Sequence, residues 1–226
     1  MDAILVRRPL EANPEVHHLH SIDDRSIMSS MTRTETRQAL IRAGSEIIAR
    51  QGFNNTGVSA VLSAAGVPKG SFYYYFSSKE DFGLAVIDDF DAEYDARLEN
   101  LLNDTTVAPL QRIRNYFDAG LADMVRYDYG RGCLIGNLSQ ELAAQKEVFR
   151  DRLDTVFSRW TQRFVHCLEQ ARAANEIDPD QDVEQLAEIL LNGWEGAILR
   201  AKVARSTTPM TAFADMFFSR MLDGRN

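Results

Sequence analysis

The stretch VPKGSFYYYFSSK, residues 67–79, puts Lys69 and Gly70 just ahead of the consecutive aromatics Phe72, Tyr73, Tyr74, Tyr75 and Phe76. On a helix, Phe72 and Phe76 are i, i+4 neighbours and share one face. Gly70, Tyr73, Tyr74 and Ser77 then fall on the opposite face, with Ser71 and Tyr75 flanking the apolar side. Two or three phenols are left to face outward beside a lysine. Their hydroxyls suit phosphate oxygens and base edges, and their rings suit thymine methyls. Gly70 allows a close backbone approach. The plainer alternative is an ordinary helix whose tyrosines bond within the protein. A second constellation is Cys133 in YGRGCLIGN. A helix start and Arg131 would both favour its thiolate, which adds to an activated double bond. The plainer reading is a small buried hydrophobe.

The elements that must hold these residues read as helices. Thr32 and Glu35 in TRTE form a capping box. Leu40, Ile41, Gly44, Ile47 and Ile48 follow helical spacing until Gly52. Val58, Val61, Leu62 and Ala65 mark a second helix, Gly66-Val67-Pro68 a tight turn, and about Lys69 to Phe76 a third helix. This is a helix-turn-helix at about 57–76, braced by a preceding helix. Segments 79–103, 109–127, 133–145, 146–175, 182–205 and 209–222 repeat apolar residues at three- and four-residue spacing. The expectation is an all-α chain of about nine helices. A flexible arm at 1–32 precedes the helix-turn-helix module at 33–93 and a larger helical body at 94–226.

Composition sets the outer limits. The 226 residues are 45% hydrophobic, enough for a packed core, and carry a net charge of −8. That charge is uneven. Residues 31–78 hold Arg33, Arg37, Arg42, Arg50 and Lys69 against only Glu35 and Glu46. A basic module joined to an acidic body implies separate jobs. No apolar run approaches a membrane span, and arginines and prolines interrupt the first residues where a signal peptide would lie. Met28 and Met31 offer alternative starts. A cytoplasmic location is expected, with Cys133 and Cys167 as free thiols. His17, His18 and His20 lack a carboxylate or cysteine partner at helical spacing, so neither metal nor cofactor is expected.

Residues 33–93 resemble the DNA-binding domain of the TetR family of bacterial repressors. The resemblance rests on IIARQGFNNTGVSAVLSAAGVPKGSFYYYFSSKEDFGLAVI, with its aromatic after glycine, Gly-Val-x-Lys-Gly turn, Ser-Phe-Tyr-x-Tyr-Phe run and Ser-Lys-Glu helix start. It implies that 33–93 is a DNA-binding domain, that 94–226 is an effector-binding and dimerisation domain, and that the protein is a homodimer on double-stranded operator DNA. It further implies DNA contacts at Ser59, Lys69, Gly70, Ser71, Tyr73, Tyr74, Tyr75 and Lys79. Lys79 also fits a phosphate contact on its own position beyond the third helix. Val58 and Ser59 stand where some members carry longer polar side chains, so base contacts from the second helix should be few.

In the body, RGCLIGNLSQE (131–141) and WEGAILRAK (194–202) are similar to TetR-family regulators that respond to acrylate. More loosely, they resemble members that sense electrophiles through a cysteine. Cys133, Arg131, Asn137, Gln140, Trp194 and Glu195 are the candidate effector residues. The polar ones among them sit on largely apolar helices and need partners. Arg131, Asn137 and Gln140 are the expected partners of an effector carboxylate. Trp160, Phe164, Phe117, Met124 and Tyr127 could join Trp194 in lining a pocket or simply form core, and Cys167 reads as core. Gly193, Gly196, Ala197 and Ala201 allow close helix packing, within a subunit or across a dimer. An enzyme is disfavoured, since no nucleophile-base set or phosphate loop appears. A ligand-binding protein with a vestigial helix-turn-helix is disfavoured by the intact 69–79 stretch.

Overall fold

The computed structural model describes residues 32–222, so the arm with His17, His18 and His20 lies outside the described residues. Nine α-helices run through them: α1 (Arg33–Gln51), α2 (Val58–Ala64), α3 (Phe72–Tyr75), α4 (Lys79–Leu102), α5 (Pro109–Arg126), α6 (Leu134–Leu142), α7 (Glu147–Ala173), α8 (Val183–Ala204) and α9 (Thr208–Met216). A π-helical turn, Phe217–Met221, follows. The all-α expectation is met, and no strand occurs among the described residues. No helix among them is long and apolar enough to cross a membrane.

Local chemistry sets the boundaries. Thr32 Oγ1 accepts from Glu35 N at 3.2 Å, and the Glu35 carboxylate accepts from Thr32 N at 2.7 Å. These bonds occupy N–H groups that a helix start leaves unpaired. α1 ends at Gly52, whose φ of +82° a side chain would disfavour. One expectation fails in detail. The third helix was expected to begin near Lys69, but α3 is a single turn starting at Phe72. Gly70 adopts φ +95°, and Ser71 Oγ donates to Pro68 O at 2.7 Å. Residues 68–71 therefore form a turn, and Lys69 projects from that turn instead of from the helix.

α4 runs unbroken from the small N-terminal bundle into the larger body, so the 93/94 boundary falls inside a helix. A ladder of ion pairs ties α4 to α7: Asp88–Arg152, Asp91–Arg159, and Arg163 with both Asp95 and Glu99. Exposed rungs are worth only about 0–1 kcal/mol each. Asp91 differs, being buried and also accepting from Trp160 Nε1 at 2.9 Å. Its burial pushes the carboxyl pKa up against the opposing pull of Arg159 and Trp160. The core of the body gathers Phe117, Trp160, Phe164 and Trp194, and Cys167 is fully buried there, as expected.

Candidate nucleic-acid surface and ligand cavity

Within the small bundle, Phe72 and Phe76 are each 1% exposed and stack edge-on against Phe82 of α4 at 5.4 and 5.0 Å. Their burial turns Tyr73 and Tyr74 outward, at 70% and 61% exposure. Tyr75 is half-buried against the core. Arg33 steadies Tyr74, donating to its carbonyl at 3.3 Å and lying 4.5 Å over its ring. Ser59 on α2 and Lys69 and Gly70 in the turn are exposed, and a Cβ at Gly70 would meet nothing within 4 Å. Ser71 is half-exposed at the start of α3. Lys79 is more restrained, donating to Asn54 O at 3.2 Å over the Phe53 ring. Lys69, Gly70, Tyr73 and Tyr74 thus form one open face. Its side chains offer hydroxyl, ammonium and ring contacts to a polyanion.

A cavity of about 520 Å³ opens among α4, α5, α8, α9 and the loop before α6, with Ser45 and Glu46 of α1 at its wall. Cys133, Tyr94, Tyr116 and Trp194 line it, with Arg97, Arg126 and Arg131 among the charged wall residues. Tyr94 and Tyr116 share a hydroxyl–hydroxyl hydrogen bond of 3.0 Å. Cys133 is the N-cap of α6, and its sulfur accepts from Gly136 N at 3.4 Å. Glu195 does not line the cavity. It stands behind Cys133 as a hydrogen-bond partner of the thiol, and a Cβ at Gly136 would collide with its Oε2. Gly120 is needed similarly, since a Cβ there would come 2.7 Å from the Trp194 ring.

The electrostatics correct one expectation. Cys133 is not poised as a thiolate, because burial, then Glu195, raises its pKa well above the ordinary thiol value. Arg131 offers no help, since it pairs with Glu46 and lies over the Tyr127 ring. Burial likewise pushes Glu195 up to about 7. Raised acids favour folding at low pH. As pH climbs from the ordinary carboxyl value toward 7, the unfolded chain ionises while the folded chain stays protonated, and stability falls. The loss by pH 8 should be on the order of 3 kcal/mol. Glu195→Gln should remove it, which melting curves from pH 5 to 8 would show. A wild-type profile as flat as the variant's would mean that Glu195 ionises freely.

The other expected effector residues divide. Trp194 lines the cavity, as do Met124 and Tyr127, whereas Phe117, Trp160 and Phe164 are core. Asn137 lies outside the lining and accepts from Lys202 Nζ at 3.2 Å. Gln140 is exposed and donates back to Gly136 O at 3.5 Å. Arg131, Asn137 and Gln140 therefore do not converge as carboxylate partners. Arg97, bound to Asp123, is a further cation in the wall. Sequence reasoning missed Arg97 and the Tyr94–Tyr116 pair. The available signal was two tyrosines at apolar helix positions where phenylalanine would pack equally well.

The fold and the two sites define a helix-turn-helix regulator with a separate ligand cavity. Residues 40–86 match the family model described as "Bacterial regulatory proteins, tetR family", and residues 109–217 match "Tetracyclin repressor-like, C-terminal domain". The chain belongs to the TetR family of DNA-binding transcriptional regulators. It is 42% identical over 180 residues to Transcriptional regulator AcuR of Cereibacter sphaeroides, covering 80% of this chain and 82% of that one. Identity to HTH-type transcriptional repressor DhaR of a Mycobacterium species is 36% over 192 residues, covering 85% and 95%. Among solved structures, a regulatory protein TetR from Rhodobacter sphaeroides superposes with a TM-score of 0.77 at 42% identity, covering 81% and 97%. The reduced form of E. coli NemR does so with 0.74 at 32%, covering 83% and 96%.

Proposed function

We propose that the protein is a homodimeric transcriptional repressor, released from its operator when a small α,β-unsaturated carbonyl compound reacts in the cavity. The observation that carries the DNA reading is the outward pair Tyr73 and Tyr74, held there by the burial of Phe72 and Phe76. Ser59, Lys69, Gly70, Ser71, Tyr73, Tyr74, Tyr75 and Lys79 remain the proposed DNA contacts. Dimerisation is supported by the outer stripe of α8. Ile189, Gly196, Leu199 and Val203 follow heptad-like spacing there, and the three apolar side chains are solvent-exposed in the single chain. Gly193 plays the other role of a small residue, since Phe213 packs tightly over it within the same subunit.

The effector class follows from the cavity wall. A carbonyl oxygen can accept from the Tyr94 or Tyr116 hydroxyl while the alkene meets Cys133. The Cys133 proton passes to the Glu195 carboxylate, sulfur bonds to the β-carbon, and the alkene electrons move onto the carbonyl oxygen. The proton then returns to the α-carbon, leaving a saturated thioether. Acrolein and acrylate are the probes, neutral and anionic.

The DNA half is tested by titrating the protein onto a labelled duplex from its own upstream region at several salt concentrations. About 6–10 phosphate contacts would cost about 10³–10⁵ in affinity between 50 and 200 mM salt. Lys79→Ala should weaken all sequences alike and flatten the salt slope by about one contact per subunit. An unchanged slope would place Lys79 off the DNA.

A further inference from the structure

At the far end of α6 from Cys133, Glu141 reaches into the helix-turn-helix module. Its Oε2 accepts from Phe53 N at 2.8 Å and its Oε1 from Asn54 N at 2.7 Å. Both peptides belong to the loop between α1 and α2. That loop is tightly made. A Cβ at Gly52 would lie 2.8 Å from Glu141 Oε2, Thr56 Oγ1 donates to Gly52 O at 2.7 Å, and Thr56 N donates to Phe53 O at 3.1 Å. The same loop seats Lys79 through Asn54 O and leads directly into α2.

The opposite end of α6 touches the cavity. Cys133 lines it, and Gly136 sits hard against Glu195. Between the ends, Leu134, Ile135, Leu138 and Leu142 are buried, and α6 packs along α7. A helix so anchored moves as a body, and it spans about 12 Å from Cys133 to Glu141. Two ion pairs also cross to the DNA-binding module, Arg131–Glu46 and Lys146–Glu80. Their side chains are partly or largely exposed, so water and salt weaken them. The Glu141 bond is charge-assisted, doubled and made to backbone, which fixes geometry better than two flexible side chains do.

We infer that Glu141 is the positioning residue that couples the cavity to the DNA surface. Its carboxylate clasps the 52–56 loop, and with it Lys79 and the start of α2, for as long as α6 keeps its place. Anything that displaces the Cys133 end of α6 draws Glu141 off the two amides. The inference rests on reading the cavity as the effector site, but its test uses no effector.

Gly136→Ala places a methyl where Glu195 Oε2 stands, so that either the carboxylate or α6 must shift. Combined with Glu141→Gln it gives a double-mutant cycle on operator affinity in the full-length protein. Each single variant should lose about tenfold. The double variant should lose no more than the worse single. Native-state hydrogen exchange should show faster Phe53 and Asn54 amides in Gly136→Ala, a response that mere local packing around Gly136 would not produce. Independent losses that multiply to about 100-fold, or exchange at the Phe53 and Asn54 amides that is unchanged in Glu141→Gln, would overturn the inference. Should Gly136→Ala fold poorly, Glu141→Gln decides alone: wild-type operator affinity with unchanged amide exchange would rule the clasp out. A cavity that binds neither acrolein nor acrylate would refute the effector reading and leave the cycle's outcome standing.

Discussion

Tyr73→Ala and Tyr74→Ala will each lower specific operator affinity by roughly 100-fold, while the melting temperature hardly moves. Each phenol would be used twice in the proposed dimer, and a good base contact is worth about 1–3 kcal/mol. Neither side chain contributes much to the core, since both stand in solvent. Phe72→Ala and Phe76→Ala should behave in the opposite way. Each empties a site that is 1% exposed and stacked on Phe82, so a loss of about 3–5 kcal/mol in stability is expected. Fluorescence anisotropy on the operator and thermal melts of the four variants separate the two roles. Should Tyr73→Ala melt lower than Phe76→Ala, the assignment of faces on α3 would be reversed.

Acrolein added to the operator complex will release the protein and raise its intact mass by one adduct per chain. Cys133→Ser will take up no adduct at that position and will stay on the DNA. Because the thiol is held protonated, the rate depends on Glu195 as the proton acceptor. A base must be ionised to act, so the adduct rate should climb as pH passes about 7. Glu195→Gln should slow it by about 10²-fold or more. Release without a mass change, retained in Cys133→Ser, would falsify the covalent step and leave reversible binding in the same cavity. If acrylate acts and acrolein does not, Arg97 becomes the group to mutate, as a cation in the cavity wall beside the Tyr94–Tyr116 pair.

Much of this architecture was legible because it follows from local rules. The Thr32–Glu35 capping box, the Gly52 stop and the Phe72/Phe76 face depend on near neighbours in sequence. So does the outward direction of Tyr73 and Tyr74. The short α3 was harder to read. Lys69 and Gly70 pass for helix start by pattern, and only the positive φ of Gly70 moves them into a turn. The cavity was legible in part. Cys133 stood out by its chemistry, but its raised pKa comes from burial and then from Glu195, which comes from a helix far along the chain. Arg131 looked like a partner for Cys133 because the two are close in sequence. In the fold it turns to Glu46 on α1. Glu141 was invisible for the same reason, since an exposed-looking glutamate on a short helix gives no hint that two distant amides await it.

The most direct test of the account is operator titration with and without acrolein, on one duplex from the protein's own upstream DNA and one scrambled duplex. The account predicts a specific complex with a Kd of about 10⁻⁸ M or tighter at physiological salt, at least ~10³ tighter than for the scrambled duplex. Acrolein should weaken that complex by about 5–150-fold without unfolding the protein. Equal binding to both duplexes would contradict the DNA reading of Tyr73 and Tyr74. Specific binding that neither acrolein nor acrylate alters would contradict the reading of the cavity.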